Sequence, residues 1–433
     1  MTGLSRFLDP GVALVLAALV AGVLRRHPAG LLPLAFGAGL LLALTTQVRE
    51  AGRCAVRLPA GDVSLTIRLA DPVSGGTARA RVEGHGCHGL VALRVEQADS
   101  LPAGTRLAVT GRWLPRLSRL RPAAGMLVVR SHDVVGSQPR VGERLRTALT
   151  RASERLYGHR APVVDALILG RRTAMDPELR EDFARAGLVH LLAISGFHVG
   201  LLTSWTVLVG LACRLSRERA YGLGAAVAVG YVAFLGWPAP ATRAAVLGVL
   251  VARGVIRQRS VRASATLATA ALVVMLVEPW AVFDLGAWLS VSAVAGLAAA
   301  TRWTDHALGR GWGWRMLAAS VGSTVTTAPL TAAVLGAVAP IGILLNFVAI
   351  PLAVVAVPGV LASLVAALVV PPLAPSLAAG AGLALHGLEA LARFGAAVPG
   401  GHLITEPGWP AAVPWVLVAI VMAWGTAGRT TAV

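Results

Sequence analysis

The distribution of apolar and polar positions divides this chain into three regimes. Residues 11–24 and 30–46 are continuous apolar runs joined by Arg25-Arg26-His27-Pro28, the pattern of a membrane hairpin. From residue 48 to 140 the period changes to two, as in Val63-Ser64-Leu65-Thr66-Ile67-Arg68-Leu69 and Arg106-Leu107-Ala108-Val109-Thr110, with punctuation at Gly75-Gly76, Gly84 and Pro102. Alternation bounded by turn residues predicts a small β-domain of roughly five strands, a barrel or a sandwich. Residues 141–157 return to helical spacing, with Val141, Leu145, Leu149 and Leu156 set against Arg144, Arg146 and Arg151. This predicts an amphipathic helix extending to about residue 160 and resting on the membrane interface.

Beyond a short apolar helix near 162–170, apolar runs recur near 188–212, 221–236, 241–256, 263–277, 285–300, 316–335, 341–357, 359–373, 376–398 and 411–426. Pro329, Pro340, Pro351 and Pro358 interrupt several of them. Broken helices at membrane depth are tolerated where protein or a water-filled cavity satisfies the freed backbone groups. The expected architecture is a polytopic α-helical membrane protein of about 10–12 spans, some broken or re-entrant, with an inserted OB-like β-barrel domain outside the cytoplasm. Its expected divisions are 1–47 (hairpin), 48–140 (β-domain), 141–160 (interfacial helix) and 161–433 (polytopic domain).

Composition agrees with this class. Charged residues make up 14% of the 433 positions, against about 25% in an ordinary soluble chain. The first apolar run is followed at once by a second with no small-residue cleavage site between them, so it reads as a retained span. Every one of the 39 basic residues is arginine and the net charge is +18. A GC-rich coding bias and an affinity for phosphate both account for that composition.

Loop charge sets an expected orientation. Arg214, Arg217 and Arg219 share one loop; Arg253, Arg257, Arg259 and Arg262 the next but one; and Arg302, Arg310 and Arg315 the next but one after that. The intervening loops 237–240 and 278–284 carry no Lys or Arg, and the second holds Glu278 and Asp284. The positive-inside rule puts the arginine loops in the cytoplasm and the β-domain outside, and Arg25-Arg26 gives the same answer.

Cys54 and Cys87 fall in the β-domain. A disulfide, unpaired thiols, and a metal site with His85 and His88 are the three readings the spacing allows, and no metal or cofactor is assigned. Residues 165–202 are the most distinctive stretch. Asp176-Pro177-Glu178 is a helix start with an N-cap and Pro at the first position. The helix leads into a run holding His190, Ser195, Gly196, His198 and Gly200. On a continuous span Ser195 and His198 share a face and Gly196–Gly200 is a small-xxx-small pair. Polar glue, the lining of a polar path, and a serine hydrolase that draws its base from His386 on a later span are the readings to weigh. Other polar groups in or beside spans are Arg243, Asp284, Ser290 and Asn346, with Pro351 breaking a run, while His386 and Glu389 stand i,i+3 where they can satisfy one another. Glycine-rich phosphate loops, paired catalytic carboxylates and nucleotide-hydrolysis motifs are missing from the sequence, so no ATP-driven motor is expected in it.

The run Met175-Asp176-Pro177-Glu178-Leu179-Arg180 through His190-Leu191-Leu192-Ala193-Ile194-Ser195-Gly196-Phe197-His198-Val199-Gly200 resembles the ComEC family, the bacterial inner-membrane channel for DNA uptake. Thr242-Arg243-Ala244, Phe283-Asp284-x-Gly286-x-x-Leu289-Ser290, Ala328-Pro329 and Asn346-x-x-x-x-Pro351 follow in the family's order. The resemblance covers most of 141–370, and an outward OB-like domain before it also fits. It implies translocation of single-stranded DNA into the cytoplasm, with an outer DNA-receptor protein and a cytoplasmic ATPase or helicase as partners; a separate nuclease partner and homo-oligomerisation are further options that the sequence leaves open. It makes Ser195, Gly196, His198, Gly200, Arg243, Asp284, Ser290, Asn346 and Pro351 the candidates for the pore, gate or DNA path. Many members continue into a metallo-β-lactamase-like domain. No His-x-His-x-Asp-His run occurs here, so the expected role is transport rather than catalysis. A proton-coupled small-solute exporter is the alternative. Single-strand binders stack bases on aromatics, worth about 1–3 kcal/mol each. Residues 48–140 hold one aromatic, Trp113, which predicts weak, salt-sensitive contact with a strand at most.

Overall fold

A computed structural model describes residues 52–73, 76–84, 86–87, 89–95, 101–115, 125–137, 139–171, 174–192, 194–258 and 285–427. The expected spans 11–24, 30–46 and 263–277, together with His85, His88 and Asp284, lie outside the described residues. The chain divides into two compact units, 1–155 with 246–283, and 156–245 with 284–433.

In the first unit a single helical turn, α1 (Cys54–Arg57), precedes five strands: β1 (Gly61–Leu69), β2 (Thr77–Glu83), β3 (Leu90–Val95), β4 (Thr105–Pro115) and β5 (Gly125–Ser137). They close into a barrel in the order β1-β2-β3-β5-β4. All neighbours are antiparallel except β3 with β5. One parallel pair inside a closed five-stranded barrel is the OB arrangement, which resolves the choice between barrel and sandwich. Alternation explains the closure: Leu65, Ile67, Leu69, Val91, Leu93, Val95, Leu107, Val109, Leu127 and Val129 all point inward and are buried. Trp113 fills one end of this core, fully buried, and lies so close to Gly125 that a Cβ there would overlap the indole. Cys54 and Cys87 are joined by a disulfide, with Cα atoms 4.8 Å apart, that pins α1 to the barrel. Both thiols are therefore consumed, and the four-ligand metal arrangement is not formed.

Helix α2 (Val141–Tyr157) begins on this barrel. Arg68 donates to Glu143 at 3.0 Å, Arg146 pairs with Asp71, and Thr147 Oγ1 accepts from the Ala103 N–H at 3.3 Å. These contacts turn its polar side toward the barrel, and Val141, 83% exposed, and Leu145 stay on the outside. Further along the helix Leu149 is buried and Leu156 partly so.

The second unit is helical. It holds α3 (Ala161–Leu169), α4 (Pro177–Arg185), α5 (Val189–Leu192), α6 (Gly196–Ala212), α7 (Arg217–Leu235) and the first part of α8 (Ala239–Ile256). After them come α9 (Leu285–Ala307), α10 (Trp312–Leu335), α11 (Gly342–Val369), α12 (Ala374–Ala397) and α13 (Trp409–Ala427). Two short strands, β6 (Ala337–Val338) and β7 (Leu403–Ile404), pair between these helices. Helices α9, α10 and α11 are long and apolar enough to cross a membrane, and α6 and part of α13 are shorter apolar helices.

Two expectations about helix breaks are reversed. Pro329 lies inside α10, and Pro351 and Pro358 lie inside α11, which runs unbroken through 28 residues. The runs 341–357 and 359–373 are thus largely one helix, about 42 Å long. Proline in a span is tolerated because neighbouring groups satisfy the freed carbonyl. By contrast the run 188–212, which contains no proline, is broken between Leu192 and Gly196.

Helices α9 and α10 touch backbone to backbone. A Cβ on Gly322 would collide with the Gly296 carbonyl and lie 2.6 Å from Ala300 Cβ. Thr326 Oγ1 donates to the Ser292 carbonyl at 2.8 Å across the same crossing. Residues 336–342 then lead back: Val338 packs on Ala328 and Ala332, and Ile341 N–H donates to the Gly401 carbonyl at 3.1 Å.

Candidate functional site

The break at 193–195 follows from local chemistry. Asp176 N-caps α4, accepting from Glu178 N–H at 3.1 Å with Pro177 in the first turn, as the sequence predicts. Gly187 follows α4 in the left-handed region (φ 73°), where a side chain is strained, and packs closely against Ala339 and Gly342. Ser195 is extended (φ −121°, ψ 173°) and caps α6. His198, three residues on, turns back: its Nδ1 accepts from Ser195 N–H at 3.4 Å and lies 3.2 Å from Ser195 Oγ. Accepting at Nδ1 puts the imidazole proton on Nε2. That atom is buried and has no hydrogen-bond partner among the described residues, and His198 as a whole is 1% exposed. Ser195 and His198 thus meet as a helix cap, not as two residues on one face of a continuous span.

Gly196 seats the cap against α8, its missing side chain facing Ala244 Cβ at 3.4 Å. Val199, Ala228, Val232, Ala241 and Ala245 form the apolar cluster beneath, from α6, α7 and α8. Gly200 is exposed, and among the described residues no helix approaches it, so only Gly196 of the expected Gly196–Gly200 pair makes a close contact there. Arg243, on the helix that meets Gly196, extends to α9 and donates to the Gly286 carbonyl at 3.3 Å. Ser290, half-buried, follows one turn later on α9. Ser195, Gly196, His198 and Arg243 are therefore gathered where α6 and α8 meet, with the start of α9 linked through Arg243.

Asn346 belongs to a second cluster. Its Nδ2 donates to Ser320 Oγ at 2.9 Å, and that hydroxyl donates to the Ile343 carbonyl at 3.2 Å. Pro351 is exposed on α11 and joins neither group.

Three polar links escaped sequence reasoning. Arg160 donates to Glu389 at 3.3 Å and to His386 Nδ1 at 3.0 Å. The expected His386–Glu389 pair is replaced by a shared arginine, and His386 is not at Ser195 where a hydrolase would need it. Asp165, buried, pairs with Arg171 at 3.4 Å, and the Tyr157 hydroxyl meets Ser363 at 2.7 Å. A buried Glu389 in an apolar run was the available signal, because such a carboxylate requires a counter-ion. Among the described residues no cluster of His, Cys, Asp and Glu could hold a metal ion.

On the barrel, Arg81, Arg68 and Arg106 stand in one row across β2, β1 and β4. Acidic groups answer much of this charge: Arg106 donates to Glu83 at 2.7 Å, and Arg79 pairs with Asp71 at 2.5 Å. Burial by itself would raise the Asp71 carboxyl, but Arg79 and Arg146 outweigh it and hold it below its ordinary value. Glu143 is likewise lowered: partial burial opposes, while the Arg140 N–H and Arg68 favour the carboxylate. Since Trp113 lies wholly in the core, the barrel offers no aromatic surface for stacking bases.

Apolar helices long enough to span, with polar side chains clustered between them and a β-barrel domain, define a multi-span membrane protein. Comparison with known proteins gives the family. The Competence protein family matches residues 167–430, well over half of the chain, and the protein belongs to that family. This match begins later and runs further than the 141–370 expected from motifs. The chain is 33% identical over 129 residues to ComE operon protein 3 of Bacillus subtilis (strain 168), covering 30% of this chain and 16% of that protein. It is 38% identical over 140 residues to Competence protein ComA of Neisseria gonorrhoeae, covering 30% of this chain and 20% of that one. The aligned segment thus spans a fifth or less of either relative. No solved structure matches.

Proposed function

We propose that this protein is a channel component of the bacterial cytoplasmic membrane that passes single-stranded DNA inward during natural transformation. Membership of the Competence protein family is the observation that carries the reading. Charge supports it: the Arg-rich loops favour a cytoplasmic face opposite the β-domain. The polar groups between the spans, Ser195, His198, Arg243, Ser290 and Asn346, are the proposed path or gate, with Gly196, Gly200, Asp284 and Pro351 as its remaining candidates. A buried histidine whose Nε2 has no partner among the described residues is costly, about 1–3 kcal/mol, and such a cost is retained more readily at a working site than in plain packing.

In this scheme an outer receptor delivers the strand, a cytoplasmic ATPase or helicase pulls it, and a separate nuclease supplies any strand degradation. The barrel acts as entrance or scaffold, since arginines already paired to carboxylates and a buried Trp113 leave little for gripping bases. Copies of the chain can assemble around one path. Deleting the gene should abolish transformation while DNA still binds the cell surface, and His198→Ala should lower transformation at unchanged protein level in the membrane. Unchanged transformation frequency in the deletion strain would sink the reading.

A further inference from the structure

Helix α10 carries a file of hydroxyls along one side. Ser320, Ser323, Thr327 and Thr331 are spaced i, i+3, i+7 and i+11, which aligns them along one side over about 17 Å, more than half the bilayer core. Two other sides of the helix are packed by described residues. Gly322 and Thr326 meet α9, and Ala328 and Ala332 pack with Val338, Ala411 and Trp415. Ser323, Thr327 and Thr331 remain half-buried rather than sealed.

A second, independent feature lies beside them. Ser320 Oγ touches the Ile343 carbonyl and Asn346, yet Ser320 is fifteen residues, about 22 Å, before the end of α10. Residues 336–342 must therefore climb back along α10, so that α11 starts beside the middle of a membrane-length helix. This returning stretch is strand and turn, not helix. Non-helical backbone at that depth persists only where protein buries it or where it lines a water-filled space. Protein covers one side, through β7, Gly401 and Gly187. Asn346 Oδ1 is buried there with no partner among the described residues.

We infer that the hydroxyl file of α10, with the Asn346 amide at its head, forms the wall of a water-filled section of the translocation path, and that its cargo is a hydrated polyanion. The inference rests on the channel reading for its cargo alone. Ser323, Thr327 and Thr331 each donate to a carbonyl of their own helix, at 3.1, 2.8 and 3.3 Å. Their oxygens are left as acceptors for water, and the file holds no charge. Such a wall keeps phosphates hydrated instead of bound, and conduction needs contacts weak enough to release. An arginine-lined wall would hold the strand.

Cysteine accessibility tests this on the full chain in membranes. In a Cys213→Ser background, Ser323→Cys, Thr327→Cys and Thr331→Cys should react with a charged, membrane-impermeant methanethiosulfonate at least roughly tenfold faster than Ala328→Cys on the packed face or Val294→Cys on α9, because thiolate forms where water reaches it. The Thr327→Val/Thr331→Val double variant should lower transformation, and the corresponding Thr→Ser double variant should restore it. Equal reactivity on all faces, or full transformation by the Val double variant, would overturn the wall. If file positions react as expected while gene deletion leaves transformation intact, the aqueous wall stands and the DNA cargo fails.

Discussion

Arg160 reaches Glu389 across 229 residues of sequence, closing a 3.3 Å ion pair between the turn before α3 and the middle of α12. The two ends are not equivalent. Glu389 is sealed, with 7% of its side chain exposed, whereas Arg160 keeps 26%. Removing the arginine strands a carboxylate in an apolar setting; removing the carboxylate leaves a cation that can still find water. Arg160→Met should therefore destabilise the helical unit by on the order of 3 kcal/mol, and Glu389→Gln by distinctly less. Thermal unfolding of the detergent-solubilised protein reads both, and equal losses would contradict the asymmetry.

Asp71 gives the barrel an acid-sensitive joint. Its folded carboxyl is held below the ordinary 3.8 by Arg79 and Arg146 despite burial. A depressed carboxyl adds stability that is fully present above the unfolded value and disappears as pH falls through the folded one. Attachment of α2 to the barrel should thus be intact at neutral pH and weaken only below about the unperturbed 3.8. Asp71→Asn should loosen it already at pH 7. Hydrogen exchange of the 141–155 amides would show the change, and protection equal to wild type at neutral pH would contradict it.

The α9–α10 crossing has no room for a methyl group. Gly322→Ala would press on the Gly296 carbonyl and the Ala300 side chain, so the helices must separate. A cost of about 1–3 kcal/mol is expected, with partial loss of folded protein from the membrane. Gly200→Ala, where nothing lies within 4 Å, should be silent in the same assay or slightly stabilising.

The Cys54–Cys87 link closes a 33-residue separation and ties α1 to the barrel core. Converting both residues to Ser should lower barrel stability by about 2–4 kcal/mol. Limited proteolysis should then cut within residues 52–95 of the variant but not of the oxidised protein.

Much of the fold was legible in the sequence because periodicity reports burial locally. The alternation in Val63–Leu69 and Arg106–Thr110 fixed which side chains enter the barrel, and Asp176-Pro177-Glu178 fixed where α4 starts. The same local logic misled where partners are distant. Pro351 and Pro358 look like breaks, yet α11 runs through them. Ser195 and His198 look like neighbours on a span, yet the imidazole turns back to cap the helix that Ser195 begins. Helical spacing shows α2 to be amphipathic, yet no local rule says that its polar Glu143 and Arg146 meet Arg68 and Asp71, some seventy residues earlier.

By itself, then, the sequence determined the class: long apolar runs cannot be dissolved in water, and a period of two cannot make a helix. It also carried the residue types, Ser195, His198, Arg243 and Asn346, that a polar path through spans would need. Only the tertiary structure decided which polar groups meet. Arg160 with Glu389, Asn346 with Ser320, and Gly296 with Gly322 are pairings between segments that no spacing rule connects. Their cost if left unmade, a buried charge, a buried amide or a steric overlap, depends on what the fold brings against them.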